Sequence, residues 1–317
     1  MIRQINKLAE NNTPFLLIVD FEIRKPLLFP LEELPEDVLF STPGYSTPGK
    51  STIRPERVEF QSEPVPYSRY RSAFNIVREN TMLGNTYLTN LTFPSRIKTN
   101  LSLADIYSVS RAKYKLLYKD EFVVFSPEIF VQISNGQIRS FPMKGTIDAD
   151  IPGAKEKLME DEKEIAEHVT IVDLIRNDLS LSARKVRVDK FRYIDTLVTS
   201  HKKLLQVSSA ISGELPADYL SHLGEIIFSM LPAGSVSGAP KPETLRIIEE
   251  AEGTERGYYT GIMGYFDGKN FDSAVLIRYI ESDGEQLVYR SGGGITFMSD
   301  PEKEYQELID KVYVPVT

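Results

Sequence analysis

The apolar positions of this chain fall into short runs separated by turn dipeptides, with a few longer stretches of helical period. Phe15-Leu-Leu-Ile-Val-Asp-Phe21 is a nearly continuous apolar run and predicts a buried strand. Residues 68–83 read as a helix and Thr86 to Phe93 as a strand. Further along, Phe122-Val-Val-Phe125 and Ile129-Phe-Val-Gln-Ile133 lead into Asn135-Gly136. Tyr258 to Phe266 leads through Asp267-Gly268 into Ser273 to Ile280, and that strand leads through Asp283-Gly284 into Gln286 to Arg290. Asn-Gly and Asp-Gly supply the positive φ that two-residue turns need, so these runs predict hairpins and an antiparallel sheet. Helices are predicted over Ala154 to Leu179, Tyr219 to Met230, Lys241 to Ala251 and Pro301 to Val312. Antiparallel sheets interspersed with helices make an α+β protein. Residues 26–67 hold eight of the nineteen prolines. That segment reads as irregular cover over a single domain spanning 1–317, not as a domain of its own. No internal repeat is visible.

Composition narrows the function. Hydrophobic residues are 41% and charged residues 26% of 317, and the net charge is −8. An acidic balance disfavours nonspecific nucleic-acid binding, which needs a basic surface. The absence of cysteine excludes disulfides, thiolate metal sites and cysteine nucleophiles. No stretch approaches the roughly 18 apolar residues of a membrane span. Met1 to Asn12 lacks the apolar core of a signal peptide, so a cytoplasmic location is the default expectation. The three histidines, His168, His201 and His222, are too scattered to predict a zinc site.

Three places carry candidate chemistry. Phe141-Pro-Met-Lys-Gly-Thr-Ile147 sets Lys144 between a φ-restricted proline and a glycine that permits close backbone approach. A lysine held this way can act as a nucleophile or as a cation for a carboxylate; a surface turn lysine is the plain alternative. On the last predicted helix, Glu304, Glu307 and Lys311 project within about 60° of one another, beside an apolar stripe of Tyr305, Leu308 and Val312. The same spacing also suits a charge ladder on a wet face. In the helix from Ala154, Glu167 lies in line with Ile171 and Leu174, opposite the stripe of Leu158, Ile165, Val169 and Val172. A glutamate on a covered face needs a partner or a cation, unless it ends the covered patch and reaches water. If Glu167, Glu304 and Glu307 converge, oxygen ligands without cysteine favour Mg²⁺.

The chain resembles the chorismate-using enzymes, and among them component I of aminodeoxychorismate synthase. Phe141-Pro-Met-Lys-Gly-Thr is similar to that group's P-I-K-G-T, and Ser126-Pro-Glu128-Ile-Phe to S-P-E-x-F. Glu167-His-Val-Thr-Ile-Val-Asp-Leu-Ile-Arg-Asn-Asp178 resembles E-N-L-M-I-V-D-L-L-R-N-D, and Ser235-Val-Ser-Gly-Ala-Pro-Lys241 resembles S-I-T-G-A-P-K. Tyr259 to Tyr265, Asp272 to Arg278, Gly292 to Ile295 and Glu304-Tyr-Gln-Glu307 through Lys311 follow in the same order. The ordered set, from about residue 68 to 312, is far more specific than any one match. The resemblance implies two large antiparallel sheets packed together, with helices on the outside and one deep site. By position it implies Mg²⁺ ligands at Glu167 and Glu307, with Glu304 nearby. Arg278, Tyr259 and Lys311 would hold the substrate carboxylates, completed by the backbone around Ser237, Gly238 and Ala239 and by Gly292, Gly293 and Gly294. Glu128 would be the acid that helps the 4-hydroxyl leave, and Lys144 the amine that attacks ring carbon 2.

Within that family, isochorismate and salicylate synthases carry a water-activating lysine where this chain has Leu88, and anthranilate synthases usually carry alanine where Lys144 stands. Both differences imply amination of chorismate to 4-amino-4-deoxychorismate, toward 4-aminobenzoate and folate. Anthranilate synthesis, or a non-catalytic chorismate-binding subunit, is the alternative. Gln206 stands where amine-forming relatives often have histidine, a departure that favours stopping before pyruvate elimination. Without cysteine, nitrogen is expected as free ammonia or from a separate glutamine amidotransferase subunit.

Overall fold

The first apolar run forms the strand Phe15–Val19, with all five residues buried. Its alternate residues serve two cores, as the two-residue period of a strand requires. Phe15, Leu17 and Val19 pack with Ile5, Ala9, Leu223 and Ile227 in a layer of helices. Leu16 and Ile18 pack against Phe40, Tyr114, Leu116 and Tyr279, which belong to a second sheet. Each fully buried side chain of this size contributes roughly 1.5–3 kcal/mol, so the two faces together fix the strand between layers.

The computed structural model describes residues 1–48, 58–198 and 203–314. Among these are two nine-stranded sheets, in which every pairing between strands is antiparallel. The first runs Met143–Asp148, Lys203–Glu214, Gln137–Ser140, Ile129–Ser134, Phe271–Val275, Ile262–Phe266, Phe15–Val19, Leu27–Pro30, with Arg184–Val198 also on Lys203–Glu214. The second runs Gly238–Ala239, Leu88–Thr99, Leu287–Ile295, Tyr279–Ser282, Phe122–Ser126, Tyr114–Tyr118, Val38–Thr42, Tyr45–Ser46, with Phe60–Glu63 on Leu88–Thr99. Helices cover the outer faces: Leu103–Val109 lies over one part of the second sheet, and Tyr67–Met82, Lys241–Glu252 and Pro301–Asp310 over another. The α+β architecture of two packed antiparallel sheets with outer helices is therefore present.

The predicted turns are where they were expected. Asn135 and Gly136 both have positive φ (51° and 70°) and join two paired strands, and Asp283-Gly284 joins Tyr279–Ser282 to Leu287–Ile295. Four expectations need correction. Ser273 to Ile280 is not one strand: the chain leaves the first sheet after Val275 and enters the second at Tyr279, passing through Arg278 at φ 55°. Phe122–Ser126 and Ile129–Ser134 likewise belong to different sheets. The helix predicted from Ala154 is two helices, Ala154–Glu160 and Glu162–Ser180, because Asp161 is extended and its carboxylate caps the second by accepting from the Glu164 amide. The proline-rich 26–67 segment is not irregular throughout, since it supplies Leu27–Pro30, Val38–Thr42, Tyr45–Ser46 and Phe60–Glu63 as short strands.

The two sheet-to-sheet crossings run side by side. The Val275 amide donates to the Glu128 carbonyl and the Phe125 amide to the Arg278 carbonyl, both at 3.1 Å. Glu128 and Arg278 are thereby placed together at the seam between the sheets.

Candidate active site

That seam opens into a cavity of about 560 Å³ whose walls include Glu128, Lys144, Glu167, Arg278, Glu304 and Lys311. Three far-apart stretches of chain thus meet as the sequence motifs implied.

Lys144 lies on the strand Met143–Asp148, where the pairing with Lys203–Glu214 slips by one residue between Lys144 and Thr146. Gly145 is the extra residue of this bulge, at φ 71°. A Cβ there would come within 2.9 Å of Leu158 and 3.1 Å of Glu164. The bulge sends the Lys144 ammonium into the cleft, 3.3 Å from Glu167 Oε2. Glu167 is buried on the helix Glu162–Ser180. Burial pulls the Lys144 ammonium down, but Glu167 and Glu164 outweigh it and hold the group above the ordinary lysine range. A neutral attacking amine needs the opposite, so in this arrangement Lys144 is a carboxylate-held cation.

Glu304 and Leu308 are the buried residues of the helix Pro301–Asp310, which starts at a proline after the Asp300 cap. Glu307, one turn on, is half-exposed and paired with Lys311 at 2.7 Å. Lys311 also donates to the Gly292 carbonyl at 2.7 Å. Lys163, which sequence reasoning passed over, lies between the two buried acids, 2.5 Å from Glu304 Oε1 and 3.6 Å from Glu167 Oε1. Glu164, another residue passed over, has its carboxyl pushed up by burial and by Glu167. Their signal in the sequence was only positional: Lys163 and Glu164 precede Glu167 by four and three residues, which is one helical face.

Glu128 is half-buried at the opposite wall. Burial pushes its carboxyl up, while a 2.5 Å hydrogen bond from the Ser235 hydroxyl and the charge of Lys144 pull the other way without cancelling it. Tyr259 lines the same wall, and burial lifts its phenol to about 12. The Arg278 guanidinium lies over the Tyr313 ring. Gly293 and Gly294 leave open space at the centre: a Cβ on Gly293 would lie 3.7–3.8 Å from Glu304, Glu307 and Lys311, and one on Gly294 would lie 3.1 Å from Lys144 and 3.4 Å from Glu167.

Ser237, Gly238 and Ala239 are not brought to the cleft, whereas Ser235 and Val236 are. The Ser237 hydroxyl donates to the Ala233 carbonyl. Gly238 and Ala239 pair with Thr89 and Leu88. This pairing is so close that a Cβ on Gly238 would sit 1.9 Å from the Leu88 carbonyl oxygen. Glycine there serves the fold. His168 is buried and bonded to Ser209 at 2.7 Å, and burial pulls it down to about 4. His222 is exposed beside Asp218. His201 lies outside the described residues. Gln206 lines the cleft opposite Thr146.

Behind the site lies a closed ion pair. Arg256 and Glu252 are almost completely buried. All five guanidinium hydrogens have acceptors, on Glu252, the Val236 and Asn90 carbonyls and Thr260, and Glu252 also accepts from Thr92. Asn90 and Val236 are cleft-lining residues, so this pair braces the wall.

The cleft has the donors for a hard divalent cation: carboxylate oxygens at Glu167, Glu304 and Glu307, in front of a glycine cradle. Among the described residues no three acids or histidines stand close enough to enclose a metal without moving. Five acids, Glu128, Glu164, Glu167, Glu304 and Glu307, face four cations, Lys144, Lys163, Lys311 and Arg278, so the formal charges balance only when one of the acids carries a proton.

Residues 31–317 match the profile of the chorismate binding enzyme family. The chain is 47% identical over 317 residues to a PabA-like protein of Pasteurella multocida, itself uncharacterised, covering 99% of this chain and 98% of that one. It is 30% identical over 277 residues to aminodeoxychorismate synthase component 1 of Bacillus subtilis, covering 82% of this chain and 57% of that one. Against the crystal structure of anthranilate synthase component I from Streptococcus pneumoniae, the TM-score is 0.67 at 26% identity, over 86% of this chain and 61% of that one.

Proposed function

This chain belongs to the chorismate binding enzymes, and on that footing we propose that it aminates chorismate to 4-amino-4-deoxychorismate. The observation that carries this reading is Lys144: its amine enters the cleft in contact with Glu167. Leu88 stands beside it against Gly294 and offers no second base. Aminodeoxychorismate synthases resemble this chain in having that lysine.

Chorismate is a dianion. A cleft with five acids against four cations lacks the positive charge that such a ligand needs, and Mg²⁺ would supply two units of it. Glu167 and Glu307 would hold the ion, with Glu304 alongside; when bound, it offsets the charge of a substrate carboxylate. Arg278 and Tyr259 orient one carboxylate, and Lys311 with the Gly292 to Gly294 backbone orients the other. Glu128, whose carboxyl burial pushes up, gives its proton to the departing 4-hydroxyl. The Lys144 amine adds at ring carbon 2 as that hydroxyl leaves as water. Ammonia then adds at carbon 4, expelling the lysine and returning a proton to Glu128. Chorismate and ammonia thus give the amino product and water. Because Lys144 is held as an ammonium ion here, attack requires that it first pass a proton to Glu167, its neighbour at 3.3 Å, and then leave that contact as the neutral amine. The 317 residues hold no cysteine for thiol-dependent glutamine hydrolysis, so ammonia comes free or from a separate glutamine amidotransferase subunit. The product then passes to a lyase, toward 4-aminobenzoate and folate.

The test is incubation with chorismate, Mg²⁺ and ammonium, with and without an aminodeoxychorismate lyase. The expected outcome is 4-aminobenzoate only when the lyase is present, with Lys144→Ala abolishing it. Fluorescent anthranilate without the lyase would make the chain an anthranilate synthase instead. Chorismate binding without turnover would make it a binding subunit.

A further inference from the structure

The acid cluster already carries a cation of its own. Lys163 leaves the second position of the helix Glu162–Ser180, two residues beyond the extended Asp161. Its Nζ reaches 2.5 Å from Glu304 Oε1 on the helix Pro301–Asp310 and 3.6 Å from Glu167 Oε1 on its own helix. The two acceptors are the most buried acids of the cleft, with side chains 3% and 6% exposed. Two carboxylates this deep repel one another unless a cation lies between them. Among the described residues Lys163 is the one cation bonded to both. Glu307 has Lys311, and the other oxygen of Glu167 has Lys144. The contact therefore also clamps one helix to the other across the mouth of the site.

A divalent cation held by Glu167 and Glu307 with Glu304 alongside would compete for the Glu167 and Glu304 oxygens that Lys163 holds, and a metal and an ammonium a few ångströms apart repel strongly. Lys163 has somewhere to go. Its side chain is 30% exposed, it sits at a helix start next to a break, and four rotatable carbons separate its charge from the backbone. We infer that Lys163 is a tethered stand-in for the divalent ion: it holds the acids together in the metal-free protein, and the metal binds by displacing it into solvent. This rests on the reading that the cluster takes a divalent cation, and it adds that metal affinity is set by competition with a residue of the chain itself. Lys163 is in this sense a positioning residue, not a catalytic one.

The probe is Mn²⁺ alone, without chorismate, followed by electron paramagnetic resonance on the full chain. Lys163→Met is expected to bind Mn²⁺ about tenfold tighter than wild type or better, and Lys163→Arg to stay close to wild type. In EDTA, Lys163→Met should melt lower than wild type, and saturating Mn²⁺ should raise its Tm by more than it raises that of wild type. The wild-type protein gives a reading that needs no variant: reductive methylation of Lys163, read by peptide mass spectrometry, should rise when Mn²⁺ replaces EDTA. Methylation that stays level or falls on adding Mn²⁺ overturns the inference, as does a Lys163→Met protein that binds Mn²⁺ no tighter than wild type. If folded wild type and folded Lys163→Met both fail to bind Mn²⁺, the divalent-cation reading of the site fails first, and this inference with it.

Discussion

Two groups of buried charge serve this protein in opposite ways. Arg256 and Glu252 form a finished structure: 2.6 Å apart, both nearly inaccessible, every guanidinium hydrogen used, and the guanidinium 4.4 Å over Phe21. The cluster of Glu167, Glu304, Glu307, Lys144, Lys163 and Lys311 is unfinished. Its lysines are 22–30% exposed, its glycine wall leaves space, and its formal charge balances only until a dianion enters. Full satisfaction makes a rigid brace. Charges balanced by movable ammonium groups make a site that something else can complete.

The sharpest break between the two clusters comes from removing one cation from each. Arg256→Met leaves Glu252 buried and unpaired, so it is expected to lose about 3–5 kcal/mol in chemical denaturation. Lys144→Met should leave the denaturation midpoint near that of wild type, because its partner Glu167 keeps Lys163, yet turnover should disappear. Glu128→Gln keeps the shape and removes the proton donor. It is expected to lower kcat by roughly 10²–10⁴-fold with KM nearly unchanged. Gly294→Val fills the cradle against Lys144 and Leu88 and should raise KM for chorismate more than it lowers kcat.

A pH profile sharpens the contrast further. Burial raises the Glu128 carboxyl, so its proton persists above the usual carboxylate range, and activity that depends on it is lost as pH rises through the folded-state pKa. The Ser235 hydroxyl stabilises the anion. Ser235→Ala should therefore raise that pKa further and move the alkaline limb to higher pH; movement to lower pH would contradict the assignment. The smallest effect belongs to a surface pair. Asp218→Asn breaks the exposed contact with His222 and should change stability by less than about 1 kcal/mol, with activity unaltered.

Much of this was legible from local chemistry. Asn135-Gly136 and Asp283-Gly284 each mark a real hairpin because positive φ is a property of the residues themselves. Glu304 and Glu307 could be set beside an apolar stripe because helical period is local too. The sheet change at 276–278 was not legible, because Ser273 to Ile280 is apolar on both sides of the crossing and periodicity carries no mark of which sheet a strand joins. Lys163 was hidden in Glu160-Asp-Glu-Lys-Glu164, a charge run that reads as solvated surface until Glu304 arrives from 141 residues away. Ser237 to Ala239 was assigned to the substrate although Gly238 serves a close pairing with Leu88, since a glycine required by packing looks the same in a sequence as one required by a ligand.

The most direct test of the central claim is the position of nitrogen in the product. Incubation with chorismate, Mg²⁺ and ¹⁵N-ammonium, followed by NMR of the isolated product, should show ¹⁵N on ring carbon 4 with the enolpyruvyl ether intact. Nitrogen on carbon 2, or release of pyruvate without a lyase, would contradict the account.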